Sequence, residues 1–126
     1  MSPTLLNSTA ALLSLAWAVV HLFVGGRDCA KPLREDVALE PEARHTMWMC
    51  WHMVTATLFI LALLFALAVL TGDPGIGLSA TLVAAGLAIA GLMSVPALKT
   101  SFRVLPQGWL FVPVVLLGGY AFWFSA

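Results

Sequence analysis

Four long stretches without a single Asp, Glu, Lys or Arg constrain this chain more than any other feature of its sequence. They cover residues 5–24, 47–71, 76–98 and 109–124 of the 126. A helix needs roughly 20 mostly apolar residues to cross the hydrocarbon core of a bilayer. In lipid, each backbone N–H and C=O must find its partner within the protein, and a helix provides these partners within one segment. The pattern predicts an all-α membrane protein with four transmembrane helices.

The composition argues against two other classes of protein. Hydrophobic residues make up 61% of the chain and charged residues 10%, whereas a soluble domain usually carries about 25% charged residues. The formal net charge is zero, so the chain lacks the basic surface typical of proteins that bind nucleic acid. Four spans leave only short connecting segments. The sequence therefore predicts one transmembrane domain over residues 1–126.

The positions of the basic residues predict the orientation in the membrane. All six lie in the connecting segments 25–46 and 99–108, namely Arg27, Lys31, Arg34, Arg44, Lys99 and Arg103. Basic residues concentrate on the cytoplasmic side of membrane proteins, so both segments are expected to be cytoplasmic loops. The short turn at residues 72–75 makes spans two and three antiparallel neighbours. We therefore expect an antiparallel bundle with both termini outside (N-out/C-out).

Glycine and proline predict where helices end and begin. Two consecutive glycines, Gly25 and Gly26, are typical of a helix end. Pro32 is expected to keep the next residues from continuing the helix. Pro41 suits a first helical position, so we expect the second helix to begin there and to enter the membrane near Met47. Pro113 is expected near the first turn of span four.

Polar and small residues predict which helix faces are buried. Asn7, Ser14 and His21 follow one another at seven-residue intervals and share one face of span one, with Trp17 near that face. Polar groups in lipid turn toward other helices. Span three carries two rows of small residues that allow close helix contact, namely Ala80, Ala84 and Ala88, and Gly86, Ala90 and Ser94.

The histidines are the first candidates for a functional site. His21 and His52 both lie close to the expected cytoplasmic ends of their spans, so antiparallel packing would bring them to similar depth. Neutral imidazoles bind haem iron and other metals, which makes both residues candidate cofactor ligands. The alternative is that each imidazole only hydrogen-bonds to a hydroxyl or carbonyl group of a neighbouring helix.

A weaker metal-binding set consists of His45, Met49 and Cys50, whose nitrogen and sulfur atoms suit transition metals. No Cys-x-x-Cys or His-x-x-x-His spacing supports it. Our first expectation is that the chain binds no cofactor, and the alternatives are haem or a transition metal. Cys29 and Cys50 both fall on the expected cytoplasmic side. Because the cytoplasm is reducing, we expect two free thiols there.

Aromatic and basic residues near the expected interfaces are candidates for contact with lipid or with a partner. Three tryptophans fit an interfacial aromatic belt, namely Trp48, Trp51 and Trp109. The first two, with neighbouring methionines, alternatively line a soft pocket for a quinone, a lipid or a tetrapyrrole. Three basic residues are expected to contact anionic lipid headgroups or a partner subunit, namely Arg27, Lys31 and Arg34.

The absence of charge within the spans also bears on function. Small four-helix multidrug exporters are similar in size and hydropathy, but they depend on a carboxylate within the first span, and residues 12–17 contain none. The sequence shows no recognisable pair of a nucleophile and a base, and such a pair would indicate an enzyme. Our first hypothesis is a non-enzymatic structural or accessory subunit, or an assembly factor, of a larger membrane complex, or a homo-oligomer. The alternatives are a haem- or metal-binding protein using His21 and His52 and, least favoured, a small transporter.

A series of short motifs marks the first half of the chain, namely His21, Gly26-Arg27-Asp28, Pro32-Leu33, Glu40-Pro41-Glu42 and Cys-Trp-His-x-Val-Thr at residues 50–55. In these motifs the first half resembles a family of small, uncharacterised four-helix inner-membrane proteins of proteobacteria. The second half matches in hydropathy alone. The resemblance implies a multi-pass protein of the bacterial inner membrane, and it assigns no activity and no catalytic residue.

Overall fold

The computed structural model describes residues 2–125, which form four helices and no strand. We name them α1 (Pro3–Glu35), α2 (Pro41–Thr71), α3 (Pro74–Ala97) and α4 (Gln107–Trp123). Each predicted span coincides with one of these helices, although the third and fourth predicted spans extend one residue beyond the helix ends, so the all-α prediction is confirmed. Three of the helices, α1, α2 and α3, are long and apolar enough to cross a membrane, whereas α4 is apolar but has only 17 residues.

The expected end of the first helix at Gly25 and Gly26 is wrong. The chain is α-helical over Pro3–Val20, π-helical over His21–Ala30 and α-helical again over Lys31–Glu35. A glycine ends a helix when it turns into the left-handed conformation, and in the described part of the chain Gly72 is the glycine with a positive φ. Most of the first half of the expected loop 25–46 is therefore helix.

Pro32 also fails to stop the first helix. It stands at the start of the segment Lys31–Glu35, where a missing N–H costs little. The Lys31 N–H just before it bonds five residues back to the Gly26 carbonyl, which is the spacing of a π-helix. The non-helical connection to α2 is consequently only residues 36–40.

Local sequence explains where α2 begins and ends and where α3 begins. As predicted, α2 begins at Pro41, and it ends at Gly72, whose φ of 70° is left-handed. Asp73 then starts α3, because its Oδ1 accepts a hydrogen bond of 2.8 Å from the Gly75 N–H. In α4, Pro113 is the seventh residue rather than part of the first turn as expected.

The four helices share one apolar core. α1 packs against α2 and α4, and α3 also packs against α2 and α4. Small residues come from α1 and α3 and large ones from α2 and α4: Ala10, Ala18, Ala80, Ala84 and Ala88 face Leu58, Leu61, Phe65, Phe111 and Val114. The first predicted row of small residues on α3 is thus buried. In the second row, Gly86 and Ala90 are exposed.

Glycines set the distance between neighbouring helices at two points. A Cβ at Gly91 of α3 would lie 2.6 Å from the Cα of Gly108 at the start of α4, so the two backbones touch there. A Cβ at Gly118 would clash with the Thr81 hydroxyl and lie 3.0 Å from the Phe65 ring. Close backbone contact of this kind is what small residues permit in membrane helices.

The predicted polar face of α1 is turned inward. Asn7 and Ser14 are buried and His21 is half-buried. Asn7 lies beside Gly77 of α3. The Oδ1 atom of Asn7 and the Oγ atom of Ser14 are buried without a hydrogen-bond partner among the described residues.

Candidate functional site

A cavity of about 530 Å³ lies between α1, α2 and the start of α4, with one residue contributed by α3. This volume is within the range of small-molecule sites, which is about 300–1,000 Å³. Most of the wall is hydrocarbon, from Val20, Val24, Val54, Leu58, Leu87, Pro106, Leu110 and Phe111. The remaining wall is Gly25 and six residues with a polar or aromatic group: Trp17, His21, Asp28, Cys29, Trp51 and Gln107.

The π-helical part of α1 forms one wall of this cavity. Gly25 lies in this segment directly against the indole of Trp51, and a Cβ there would lie 2.8 Å from the Trp51 Cη2 atom. The missing side chain therefore provides the space that the Trp51 ring fills. π-Helical segments are rare and occur frequently at functional sites. The π-helical wall therefore favours this cavity as a binding site.

His21 and Trp51 form a stacked pair in the wall. Their ring centroids are 3.9 Å apart and their planes differ by 12°. The His21 Nε2 lies 3.4 Å from the Trp51 carbonyl oxygen. A carbonyl oxygen only accepts hydrogen bonds, so this contact is a hydrogen bond in the tautomer that carries the proton on Nε2. The other nitrogen, Nδ1, is then an acceptor, and no described residue donates to it.

Trp17 connects the α1 wall of the cavity to α4. Its indole Nε1–H donates a 2.9 Å hydrogen bond to the Leu110 carbonyl of α4. The helix is loosened near Leu110, because Pro113 has no N–H to bond the carbonyl of Trp109, the residue before Leu110. The Trp17 donor is thus already used, and the ring presents its apolar surface to the cavity.

Asp28 is the one charged residue that lines the cavity. Its carboxylate accepts hydrogen bonds of 2.6 and 3.2 Å from Nε and Nη2 of Arg27. Both side chains are more than half exposed, so the pair adds little to stability. In the cavity wall, the Arg27 guanidinium balances the negative charge of the Asp28 carboxylate.

The two histidines expected to form a pair do not line the same cavity. His52 is exposed and packs edge-on against Trp48, with ring centroids 4.5 Å apart. Trp51, its neighbour in sequence, occupies the position against His21 that His52 was expected to take. Of the two imidazoles, His21 alone is in the lining of this cavity.

The weaker metal-binding set lies on α2, away from the cavity wall. His45, Met49 and Cys50 are all exposed on α2. Within residues 2–125, no group of three His, Cys, Asp or Glu side chains is placed to hold a metal ion. Cys29 is exposed and free, and it lies at the cavity wall.

The residues expected to face lipid or a partner separate into two groups. Arg27, Lys31, Arg34 and Trp109 are exposed. The Arg34 guanidinium lies 5.0 Å from the ring centroid of the half-buried Trp48 and 3.5 Å from the Glu35 carboxylate. Trp51 instead packs against α1 as part of the cavity wall, a position that agrees with the alternative prediction of a pocket rather than with the interfacial belt.

Several cavity residues carried no sequence signal. Leu87, Pro106 and Gln107 come from α3 and from the start of α4, and no motif marks them. Trp17 lies one turn before His21 on the same face of α1, which is the signal that placed it near the site. The rest of the wall depends on how the helices pack.

Comparisons with protein-family models, with curated proteins and with solved structures give no match. The class of protein is therefore defined by its fold, an all-helical protein with three helices suited to cross a membrane. Within that class the particular feature of this chain is a mostly apolar cavity with one imidazole in its wall.

Proposed function

We propose that this chain is a non-enzymatic integral protein of the bacterial inner membrane that binds an uncharged, mostly apolar small molecule in the cavity. The carrying observation is the cavity itself, at about 530 Å³. Apolar walls with a few polar groups are typical of sites for small ligands. Its balanced charge, with Asp28 paired to Arg27, favours an uncharged ligand.

The proposal includes four spans in an antiparallel bundle with both termini outside. The 17 residues of α4 extend about 26 Å, close to the roughly 30 Å hydrocarbon core. Asn7 at the start of α1 lies beside Gly77 at the start of α3, and Thr81 lies beside Gly118 near the end of α4. These contacts support an alternating arrangement, and the distribution of Lys and Arg supports the orientation.

A binding role is favoured over catalysis by the chemistry of the wall. Cys29, His21 and Asp28 are the groups there with nucleophilic or basic character. They form no hydrogen bond with one another among the described residues, and the Asp28 carboxylate is paired with Arg27, whereas nucleophile–base pairs lie within hydrogen-bond reach. The donor nitrogen of His21 is directed at a backbone carbonyl instead.

The test fills the cavity and asks whether a bound compound disappears. Leu87→Trp places a larger side chain in the wall, and Leu82→Trp makes the same change at an exposed position of the same helix. Wild type and both variants are purified in mild detergent and their organic extracts are compared by mass spectrometry. We expect an apolar compound with wild type and Leu82→Trp that is strongly depleted with Leu87→Trp.

Equal amounts in all three proteins would contradict the proposal, as would the absence of any enriched compound. Size-exclusion chromatography of each variant confirms that the comparison is made between folded proteins.

The second candidate is the structural or accessory subunit expected from the sequence. The exposed Gly86 and Ala90 on α3 favour it, because small residues on a lipid-facing surface allow another helix to approach closely. Native gels of mild-detergent extracts test it: migration above the size of one protomer is expected, and a lone protomer contradicts it. An absorption spectrum of the same extract tests the haem alternative, which a colourless preparation would eliminate.

A further inference from the structure

The polar groups in the cavity wall indicate the chemistry of the ligand. Trp17 already donates to the Leu110 carbonyl, and Nε2 of His21 already faces the Trp51 carbonyl. Asp28 is paired with Arg27. These existing contacts leave two uncharged polar groups of the wall without a partner among the described residues, namely Nδ1 of His21 and the side-chain amide of Gln107, and of these Nδ1 lies beside the stacked rings.

An unused acceptor beside an apolar cavity selects for a ligand that carries a donor. A ligand without one leaves Nδ1 desolvated and unpaired, which is costly when the site closes around it. A cationic donor is disfavoured because no uncompensated negative charge lines the cavity. A neutral hydroxyl group meets both conditions.

The aromatic groups of the wall add a preference for a flat ring. His21 and Trp51 already stack at 3.9 Å, and Trp17 and Phe111 present further ring surface. Aromatic rings pack against one another in offset or edge-on arrangements that add to the burial of apolar area. The aliphatic wall at Leu58 and Leu87 suits a hydrocarbon chain attached to the ring.

The geometry points to a hydroxylated aromatic ring with an aliphatic tail, a phenol or quinol, as the ligand class, with its hydroxyl donating to Nδ1 of His21. This inference rests on the proposed function, because it names the ligand of the same cavity. It makes His21 the residue that selects the ligand, and it gives His52 no part in binding.

The test uses two probes, one with a hydroxyl group that can donate a hydrogen bond and one without. Para-octylphenol carries the hydroxyl, and its methyl ether, para-octylanisole, is slightly larger and lacks it. Binding to the protein in lipid nanodiscs is measured by calorimetry, with empty nanodiscs subtracted to remove partitioning into lipid. Wild type is expected to prefer the phenol roughly five- to tenfold, the worth of one buried hydrogen bond.

Two variants locate that preference. His21→Phe keeps an aromatic ring against Trp51 and removes the acceptor, so the preference is expected to disappear while the ether still binds. His52→Phe changes the exposed imidazole on α2 and is expected to retain the full preference.

The outcomes separate the two proposals. Equal affinity of wild type for the phenol and the ether overturns the inference and leaves cavity binding intact. A preference that survives in His21→Phe overturns the role of His21. If neither probe binds above empty nanodiscs, both the inference and the proposed function fail. The wild-type comparison stands even if a variant fails to fold.

Discussion

At Gly25 a single methyl group is enough to disturb the cavity wall. Its Cβ would lie 2.8 Å from Trp51 Cη2, whereas a Cβ at Gly26 would have nothing within 4 Å. Ala is the better helix former by about 1 kcal/mol, so Gly26→Ala is expected to be neutral or stabilising. Gly25→Ala is expected to destabilise by about 1–3 kcal/mol relative to Gly26→Ala, because the Trp51 ring must move.

The measurement is thermal unfolding in detergent, followed by tryptophan fluorescence. A Gly25→Ala protein as stable as Gly26→Ala would show that the Trp51 ring is not held in the wall.

Ser14 supplies a second comparison at the same scale. Its side chain is fully buried and Oγ has no hydrogen-bond partner among residues 2–125, and such a group costs about 1–3 kcal/mol. Ser14→Ala is therefore expected to raise the stability by about 1 kcal/mol. Ser79→Ala is the control, since the exposed Ser79 hydroxyl bonds to the Gly75 carbonyl of its own helix.

Chemical denaturation of both variants decides the outcome. A loss of stability in Ser14→Ala would mean that a buried water satisfies the hydroxyl.

Among the elements, α3 depends on a single side chain for its start. Asp73 Oδ1 accepts from the Gly75 N–H at 2.8 Å, and removal of such a cap costs about 0.5–2 kcal/mol. Asp73→Ala is expected to lower the stability by that amount, whereas Asp73→Asn keeps the acceptor and most of the stability. Equal losses in both variants, measured by circular dichroism on heating, would argue against capping as the cause.

The π-helical segment is the element that sequence patterns did not predict. Glycine pairs commonly end helices, and this expectation is sound for an isolated segment. Here the space left by Gly25 is filled by Trp51 from α2, and this contact joins residues far apart in the sequence. The local pattern of two glycines contains no information about such a contact, so it predicted a loop where the chain remains helical.

For the molecule as a whole, the testable property is its orientation. The proposed topology places Cys29, which is exposed, on the cytoplasmic side and both termini outside. A membrane-impermeant maleimide is expected to label Cys29 in inside-out vesicles alone, with Cys50 replaced by Ser. With both native cysteines replaced by Ser, Ser2→Cys and Ser125→Cys are expected to label only in right-side-out vesicles. Labelling of Ser2→Cys and Cys29 from the same side would contradict the topology.

The sequence by itself determined that the chain is helical and which face of α1 is buried. Charge-free stretches require helices in lipid because backbone groups have no other partners there, and the spacing of Asn7, Ser14 and His21 places them on one face. Which residue meets His21 was decided by the tertiary structure. Trp51 and His52 are adjacent, and one step along an α-helix turns a side chain by about 100°. The rotation of α2 about its own axis therefore determines which of the two meets His21, and this rotation depends on packing against the neighbouring helices α1 and α3.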